Sequence, residues 1–412
     1  MPPRYHIAVC GCGPAGLAAA LLLDRAGHQV RIFERFDAPR PVGSGLILQP
    51  TGLGVLAELG LMDGIAQLGA RIDRLFGRVV PSNRVVLDVR YEALGAGWHA
   101  LGVHRSALFD VLHDAVTQRG IEQVLSFPVS GVDRSRHKAL LTTADGRHAG
   151  DFDLIVDALG ANSPLAVGVV RRRVLSYGAL WANVPWPAAG PMPENALEQR
   201  YRRATHMAGV LPIGRRAVGE PRQAAFFWSL KRAAVPQWQR SGMAHWKDEV
   251  GRLWAPALEV IESLTDIEQL AFAQYDHFTA RRPYSDRLVH IGDAARSTSP
   301  QLGQGANMAL LDALALARAL DTSESLSQAL SHYAAMRYWH VRLFQWASAT
   351  FTPFYQSDST VLPWVRDWLA APLSRLPIAD NLLARLVSGM TTAPLARSKF
   401  TAMRMGASAL QQ

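Results

Sequence analysis

The run Ala8-Val9-Cys10-Gly11-Cys12-Gly13-Pro14-Ala15-Gly16-Leu17 constrains this chain more than any other stretch. An apolar strand enters a G-x-G-x-x-G turn, and an Ala/Leu-rich helix leaves it. Gly11 turns the chain sharply off the strand. Gly13 lets a pyrophosphate approach the backbone, and Gly16 lets the helix lie close on the sheet. The helix opening at Pro14-Ala15 offers free N–H groups and a positive dipole end to a diphosphate. A second strand, Gln29 to Phe33, ends in Glu34, an acid spaced to accept hydrogen bonds from a ribose diol. The competing reading is an ordinary βαβ unit with a glycine turn. The motif alone does not choose between FAD and NAD(P).

The 412 residues suffice for two domains or one composite domain, and 49% hydrophobic with 19% charged residues suits a packed protein rather than a disordered one. The net charge of +9 is scattered. Its densest clusters, at 171–173, 202–203, 215–216 and 281–282, are not interleaved with a nucleic-acid motif. They read as a solvated basic surface that helps attract anionic cofactors or an anionic membrane face. Cys10 and Cys12, the only cysteines, flank Gly11 and are expected to point into a packed interior. They rule out a disulfide framework, make no metal site and fit a reducing cytoplasm. A first strand beginning near Tyr5 leaves no room for a signal peptide, and the apolar run Leu17 to Leu23 stops at Asp24-Arg25, short of a membrane span.

Further along, Pro and Gly make residues 35–45 a loop, and Leu53 to Leu61 is helical. Arg71 to Val80 and Arg84 to Tyr91 form a hairpin about Pro81-Ser82-Asn83. A helix follows His104-Arg105-Ser106, with Ser106 its expected N-cap. Val124 to Val129, Ala139 to Thr143 and Leu154 to Ala158 read as strands, with Asp145-Gly146 turning between the last two. Residues 171–230 alternate apolar and polar and read as an antiparallel sheet. Trp246 to Leu264 reads as a helix kinked at Pro256.

A second motif settles the cofactor. The strand Arg287 to Ile291 leads into Gly292-Asp293-Ala294-Ala295, then Pro300-Gln301-Leu302-Gly303-Gln304-Gly305-Ala306-Asn307, a long helix, and Asp312-Ala313. Here the chain resembles the group A flavin-dependent monooxygenases, those similar to para-hydroxybenzoate hydroxylase, over residues 5–345. The resemblance implies FAD, with Asp293 on the ribityl hydroxyls and the helix after Gly303-Gln304-Gly305 aimed at the anionic edge of reduced flavin. It implies cofactor contacts at Gly11, Gly13, Pro14, Ala15, Gly16, Ser44, Val129, Pro300, Ala306 and Asn307. Glu34 and Arg35 would meet the AMP ribose and adenine, and Arg105 the flavin phosphate or ribityl chain.

The implied fold is α/β (an α+β mix). A Rossmann-like FAD-binding domain (1–70, 98–168, 275–345) carries an inserted, mainly antiparallel β-sheet substrate domain (71–97, 169–274) and a helical C-terminal region (346–412). The implied chemistry is reduction of FAD by NADH or NADPH, addition of O₂ at the flavin C4a carbon, and oxygen transfer to a substrate. The substrate pocket is expected between flavin and sheet, with Tyr201, His206, Trp181, Phe227 and Trp228 as candidate lining; each competes with a core role. For a phenolic substrate, His206 or Tyr201 would serve as base.

Three departures stand out. Leu159 replaces the aspartate of the family's D-G-x-x-S motif, and Ala166 its later arginine. Their loss points either to altered NAD(P)H use, including reduced flavin supplied by a partner reductase, or to compensation by nearby residues. Arg296 replaces the usual histidine. The apolar patches Val361 to Leu369 and Leu382 to Val387 suit packing on the FAD domain, a dimer contact, a lid, or a peripheral membrane contact. Monomer and homodimer both remain open. A flavin-dependent halogenase, a reductase or dehydrogenase of a lipid-like substrate, and a non-catalytic FAD-binding protein are the rivals. The halogenase motif W-x-W-x-I-P is absent.

Overall fold

The computed structural model describes residues 3–38, 43–135, 137–166, 172–187, 190, 192–370, 377–396, 398 and 400–403. Arg171 of the basic cluster and Pro39 to Val42 of the first loop lie outside them. The helices are α1 (Pro14–Arg25), α2 (Pro50–Leu59), α3 (Met62–Leu68), α4 (Arg105–Gln118), α5 (Val235–Trp254), α6 (Ala257–Val260), α7 (Gly305–Asp321), α8 (Leu326–Tyr355), α9 (Val361–Val365) and α10 (Pro377–Ser388).

The dinucleotide motif sits in a six-stranded sheet. Its strand order is Tyr284–Ser285, Leu288–His290, Leu154–Asp157, His6–Cys10, Gln29–Phe33 and Glu122–Val124. Every pairing is parallel except the first, which is antiparallel. Parallel strands with helical crossovers are buried on both faces, so His6–Cys10 and Leu154–Asp157 are apolar runs rather than alternating ones. α1 and α7 pack together against this sheet, and Leu17, Leu21, Leu310 and Leu314 join one core with Val9 and Val156.

An eight-stranded sheet forms the second layer. Its central strands Arg173–Pro185, Gln223–Lys231, His206–Pro212 and Ala196–Arg202 run antiparallel, as expected for 171–230. Here the period of two decides side-chain direction. Leu180, Trp228 and Ala208 lie abreast and turn to one face, where they pack with Trp246, Val250 and Leu253 of α5. Trp181, Phe227 and Gly209 lie abreast one residue along and turn to the other face. A Cβ on Gly209 would collide with the Phe227 ring, so this glycine is the seat of that ring.

Several local expectations change. Val124 ends one strand and Val129 begins another (Val129–Arg134), so the segment between them is not a strand. Asp145-Gly146 turns Ala139–Thr143 into His148–Phe152, a strand that the sequence pattern did not reveal. The N-cap of α4 is His104, whose ring accepts from the Ser106 N–H at 3.1 Å; a histidine ring nitrogen satisfies the donor expected to be met by a serine hydroxyl. The helix before Leu264 starts earlier, at Val235; it is interrupted at Pro256, between α5 and α6, as expected, and also at Gly242 (φ 77°), where only glycine sits without strain.

Candidate active site

The glycine turn leaves a gap shaped by the backbone. Gly11 has φ +106°, and a Cβ there would lie 2.6 Å from the Ala158 carbonyl oxygen. A Cβ on Gly16 would collide with the Gly11 carbonyl, so α1 could not approach the strand. A Cβ on Gly13 would meet nothing within 4 Å. Gly13 is therefore not needed for packing, and the space above it is free for a ligand. No side chain caps α1, and its first turn holds no acid, so Ala15 and Gly16 sit at an open positive end. Glu34 is buried at the end of the neighbouring strand. Its Oε2 accepts from the Cys12 N–H (2.8 Å) and its Oε1 from the N–H groups of Arg35 (2.9 Å) and Phe36 (3.2 Å). These bonds hold the carboxylate beside the turn. Val129 is buried with Phe33, Phe127 and Phe152, so its side chain belongs to the core and only its backbone could reach a ligand.

Beyond this turn lies a cavity of about 710 Å³. Ser44, Arg105 and Asp293 line it, as do Pro300, Gly303, Gln304, Gly305 and Ala306. Gly303 takes the left-handed conformation (φ 60°) and delivers the chain into α7, whose N-terminus also lacks a side-chain cap. Asn307 is fully buried, and its side chain is engaged within the protein, so only its backbone could reach a ligand. Its amide donates to the Ile47 (3.1 Å) and Gly303 (3.0 Å) carbonyls and its Oδ1 accepts from the Gln49 N–H (2.8 Å). These bonds make the side chain a tie between two loops. Asp293 is exposed to the cavity, with protein packed around the cavity mouth. Desolvation raises its carboxyl above the usual range, against the pull of Arg105 and Arg296.

Arg296 also lines the cavity, and its guanidinium turns back to Asp312, which is fully buried. Asp312 accepts from the Gly292 N–H (2.9 Å), from Arg296, and from Arg337 Nε (2.8 Å). Burial alone would lower Arg296, but the carboxylate beside it leaves it raised; for Arg337 burial prevails and the value falls. His340 completes the cluster. Its Nδ1 accepts from Arg337 (3.2 Å) and its Nε2–H donates to the Gly389 carbonyl (3.0 Å), a pattern only the neutral ring can make. Burial, reinforced by Arg337, lowers its pKa to about 3. The histidine that the family usually carries at 296 is thus replaced by a cation paired to the aspartate of the following helix.

The sheet supplies the opposite wall. Trp181, Tyr201 and Phe227 line the cavity, with Leu197, Gln199 and Met207 beside them. His206 and Trp228 do not. They share the other parity of the strands, and Trp228 is packed against Trp246 with the His206 ring 6.1 Å away. A pocket role for those two is corrected by the period of two, which sequence alone fixes only relative to an unknown face. Tyr201 is a donor, not a base: its hydroxyl bonds Gln199 Oε1 (2.6 Å), and burial raises its pKa well above the ordinary value. Tyr275, which the sequence reading missed, lies in the same wall. Trp181 Nε1–H donates to its hydroxyl at 2.9 Å, which leaves the phenolic O–H to donate in turn, and burial holds that proton firmly. The only advance signal was its alternation within Ala271–Thr279.

Other charged groups hold the turn that carries Leu159 and Ala166. Asp157, two residues before Leu159 and fully buried, accepts from the Leu159 N–H (3.0 Å) and Ser163 Oγ (2.7 Å) and pairs with His290 Nδ1 (2.7 Å). Ala166 is buried, and Arg172 reaches the turn instead, bonding Asn162 Oδ1 at 3.0 Å and the Ala161 carbonyl.

The FAD binding domain family matches residues 4–342. 3-Amino-4-hydroxybenzoate 2-monooxygenase of Streptomyces cremeus is 32% identical over 350 residues, 81% of this chain and 83% of that protein. Aurachin C monooxygenase/isomerase of Stigmatella aurantiaca is 27% identical over 96% of this chain and all of that protein. Among solved structures, Pseudomonas aeruginosa PqsL in complex with 2-aminobenzoylacetate has a similar fold, with a TM-score of 0.75, 21% identity, and coverage of 86% of this chain and 97% of that one. The chain belongs to the FAD-dependent monooxygenases.

This monooxygenase has a cavity suited to an isoalloxazine ring, which presents both hydrogen-bond donors and acceptors along one edge. The buried polar atoms Gln49 Nε2, Gln301 Nε2, Gln304 Oε1 and Arg296 Nε have no partner within the protein and belong to residues that line the cavity. Together with the open space at Gly13 and the two uncapped helix ends, they fit a flavin dinucleotide. Bound FAD supplies electron transfer from NAD(P)H and the activation of O₂. The protein's own part is to exclude water, fix the ring and position the substrate. Cys10 and Cys12 are buried beneath this site, and desolvation raises the Cys12 thiol to about 12, so neither serves as a nucleophile.

Proposed function

We propose that this monooxygenase hydroxylates a flat, largely apolar aromatic or bicyclic molecule held between the flavin and the sheet wall. The observation that carries this reading is the wall itself: Trp181, Phe227, Leu197 and Met207 present apolar surface, with the polar atoms confined to a few points. The Asn183 amide lies on this wall; because His104 Nδ1 accepts from the Ser106 N–H, its Nε2–H donates to the Asn183 amide oxygen (2.9 Å), which leaves the Asn183 N–H₂ beside the proton that Tyr275 offers, so a substrate carrying hydrogen-bond acceptors is matched. Those two are the proposed orienting groups, and no side chain of the wall is assigned as base. Gly13, Ala15 and Glu34 are proposed to hold the AMP half of FAD, and Arg105, Asp293 and Gly303 to Gly305 the flavin half. Relatives named for hydroxybenzoate and aurachin oxidation support a ring substrate.

NAD(P)H is the proposed direct reductant, a reading supported by Asp157 and Arg172, which place a carboxylate and a guanidinium at the turn that carries Leu159 and Ala166. The test is anaerobic mixing of the FAD-loaded enzyme with NADH or NADPH, with a panel of lipophilic aromatics, followed by oxygen. Flavin bleaching by one nicotinamide and ring-hydroxylated product on aeration are expected. No bleaching, with product formed only from externally reduced flavin, would assign reduction to a partner reductase. No product under either regime would overturn the reading.

A further inference from the structure

Of the ten large apolar side chains exposed among the described residues, seven lie between 338 and 382. Four are tryptophans: Trp339 (69% exposed), Trp346 (66%), Trp364 (56%) and Trp368 (54%). They form two helical stripes. On α8, Tyr338, Trp339, Arg342 and Trp346 fall within about 100° of arc at 100° per residue. On α9 and the turn that follows it, Val361, Trp364 and Trp368 repeat at three and four residues.

The opposite face of α8 is already occupied. Val341, Phe344, Ser348, Phe351 and Tyr355 line the cavity, and Arg337 and His340 enter the Asp312 cluster. α8 is thus apolar on both sides. The inner side is explained by the active site and the outer side by nothing among the described residues. α10 repeats the arrangement, with Leu383, Leu386 and Val387 on the cavity and Leu382 outside.

We propose that this outer face docks on an anionic lipid surface, so that the cavity wall and the membrane share the same helices. Charge supports lipid over a second copy of the chain. None of the thirty residues of α8 is Asp or Glu, while Arg342 stands on the stripe at 5.3 Å from the Tyr338 ring. A two-fold contact through this helix would set Arg342 near its own copy with no carboxylate on either helix to neutralise the pair. An anionic headgroup layer neutralises it, and the chain as a whole carries +9. Tryptophan suits that depth, since its ring is apolar and its N–H remains near water. Arg84 lies 3.6 Å over the Trp368 ring and places a second cation at the other stripe. No helix among the described residues is long and apolar enough to cross a membrane, so the contact is peripheral. Docking stands on this surface alone. Delivery of a lipid-dissolved substrate into the cavity rests on the apolar-substrate reading above.

The test is co-sedimentation of the FAD-loaded enzyme with phosphatidylcholine vesicles, with or without phosphatidylglycerol, at low and at about 1 M salt, where the Debye length falls to about 3 Å. Binding only to the phosphatidylglycerol vesicles, weakened by salt, is expected. The doubly substituted W339A/W346A and W364A/W368A proteins should each bind roughly tenfold more weakly, about 1.4 kcal/mol, while keeping the flavin spectrum that marks a folded enzyme. R342E should lose the salt-sensitive part. Failure of the native enzyme to bind, or equal binding by the variants, would overturn the proposal. So would a concentration-dependent dimer that W339A/W346A abolishes, which would give the face to a second copy. None of these readouts needs turnover, so they stand or fall apart from the proposed chemistry.

Discussion

Replacing Asp312 with Asn isolates the buried charge cluster with little change of shape. Among the described residues, the aspartate is the only carboxylate bonded to Arg296 and Arg337, whose side chains are 7% and 2% exposed. Asn keeps one acceptor oxygen and the side-chain volume. It removes the charge and turns an N–H₂ toward groups that are themselves donors. Breaking a buried pair by removing one partner costs about 3–5 kcal/mol, because the remaining charge stays desolvated. Unfolding entropy of roughly 2.1 cal/mol/K per residue, over a chain of this length, makes that a fall of about 3–6 °C in Tm. Thermal melts of the apoprotein, followed by circular dichroism, measure it without a contribution from bound FAD. Adding Arg296→Met to Asp312→Asn should recover part of the loss, with a coupling of about 0.5–3 kcal/mol, since one unpaired cation is then gone. An Asp312→Asn protein melting within about 1 °C of the native one would refute the reasoning, as would strict additivity in the double variant.

The glycine turn and the neutral histidine give two further tests. Gly13→Ala should leave the apoprotein melt unchanged, because its Cβ meets nothing, yet weaken FAD retention; Gly16→Ala should lower the apoprotein melt itself, because its Cβ strikes the Gly11 carbonyl. Titration of the two apoproteins with FAD beside their melts checks the pair, and equal behaviour of the two would contradict the steric argument. For pH, His340 has a folded pKa of about 3 against an ordinary value of 6.5, so between those values the unfolded state binds more protons. Its contribution is full above pH 6.5 and declines as pH falls toward 3, by up to about 1.4 kcal/mol per unit. Urea midpoints between pH 7 and 4 should show that slope, and His340→Gln should flatten it.

How much could be read from the chain alone follows the range of each interaction. The G-x-G-x-x-G turn and the Gly292 to Asn307 run were legible because their demands are local: a left-handed backbone at Gly11 and Gly303, and helix ends without caps. Alternation in 171–230 gave the antiparallel sheet. It could not say which parity faces the flavin, so His206 and Trp228 entered the candidate wall and Tyr275 did not. His104 escaped notice as a cap because ring nitrogens rarely fill that position.

The sequence by itself determined the dinucleotide-binding turn and its open helix ends, since turn geometry and helix polarity are set by neighbours within a few residues, and the resemblance carried by its two motifs implied FAD and the class of chemistry. Only the tertiary structure decided the rest. It joined Arg296 to Asp312 and Arg337, paired Asp157 with His290, and set one face of α8 on the cavity with tryptophans on the other. The physical reason is the same throughout: burial and charge pairing depend on which surfaces meet, and residues 133 positions apart along the chain, such as Asp157 and His290, meet only once the sheet has formed.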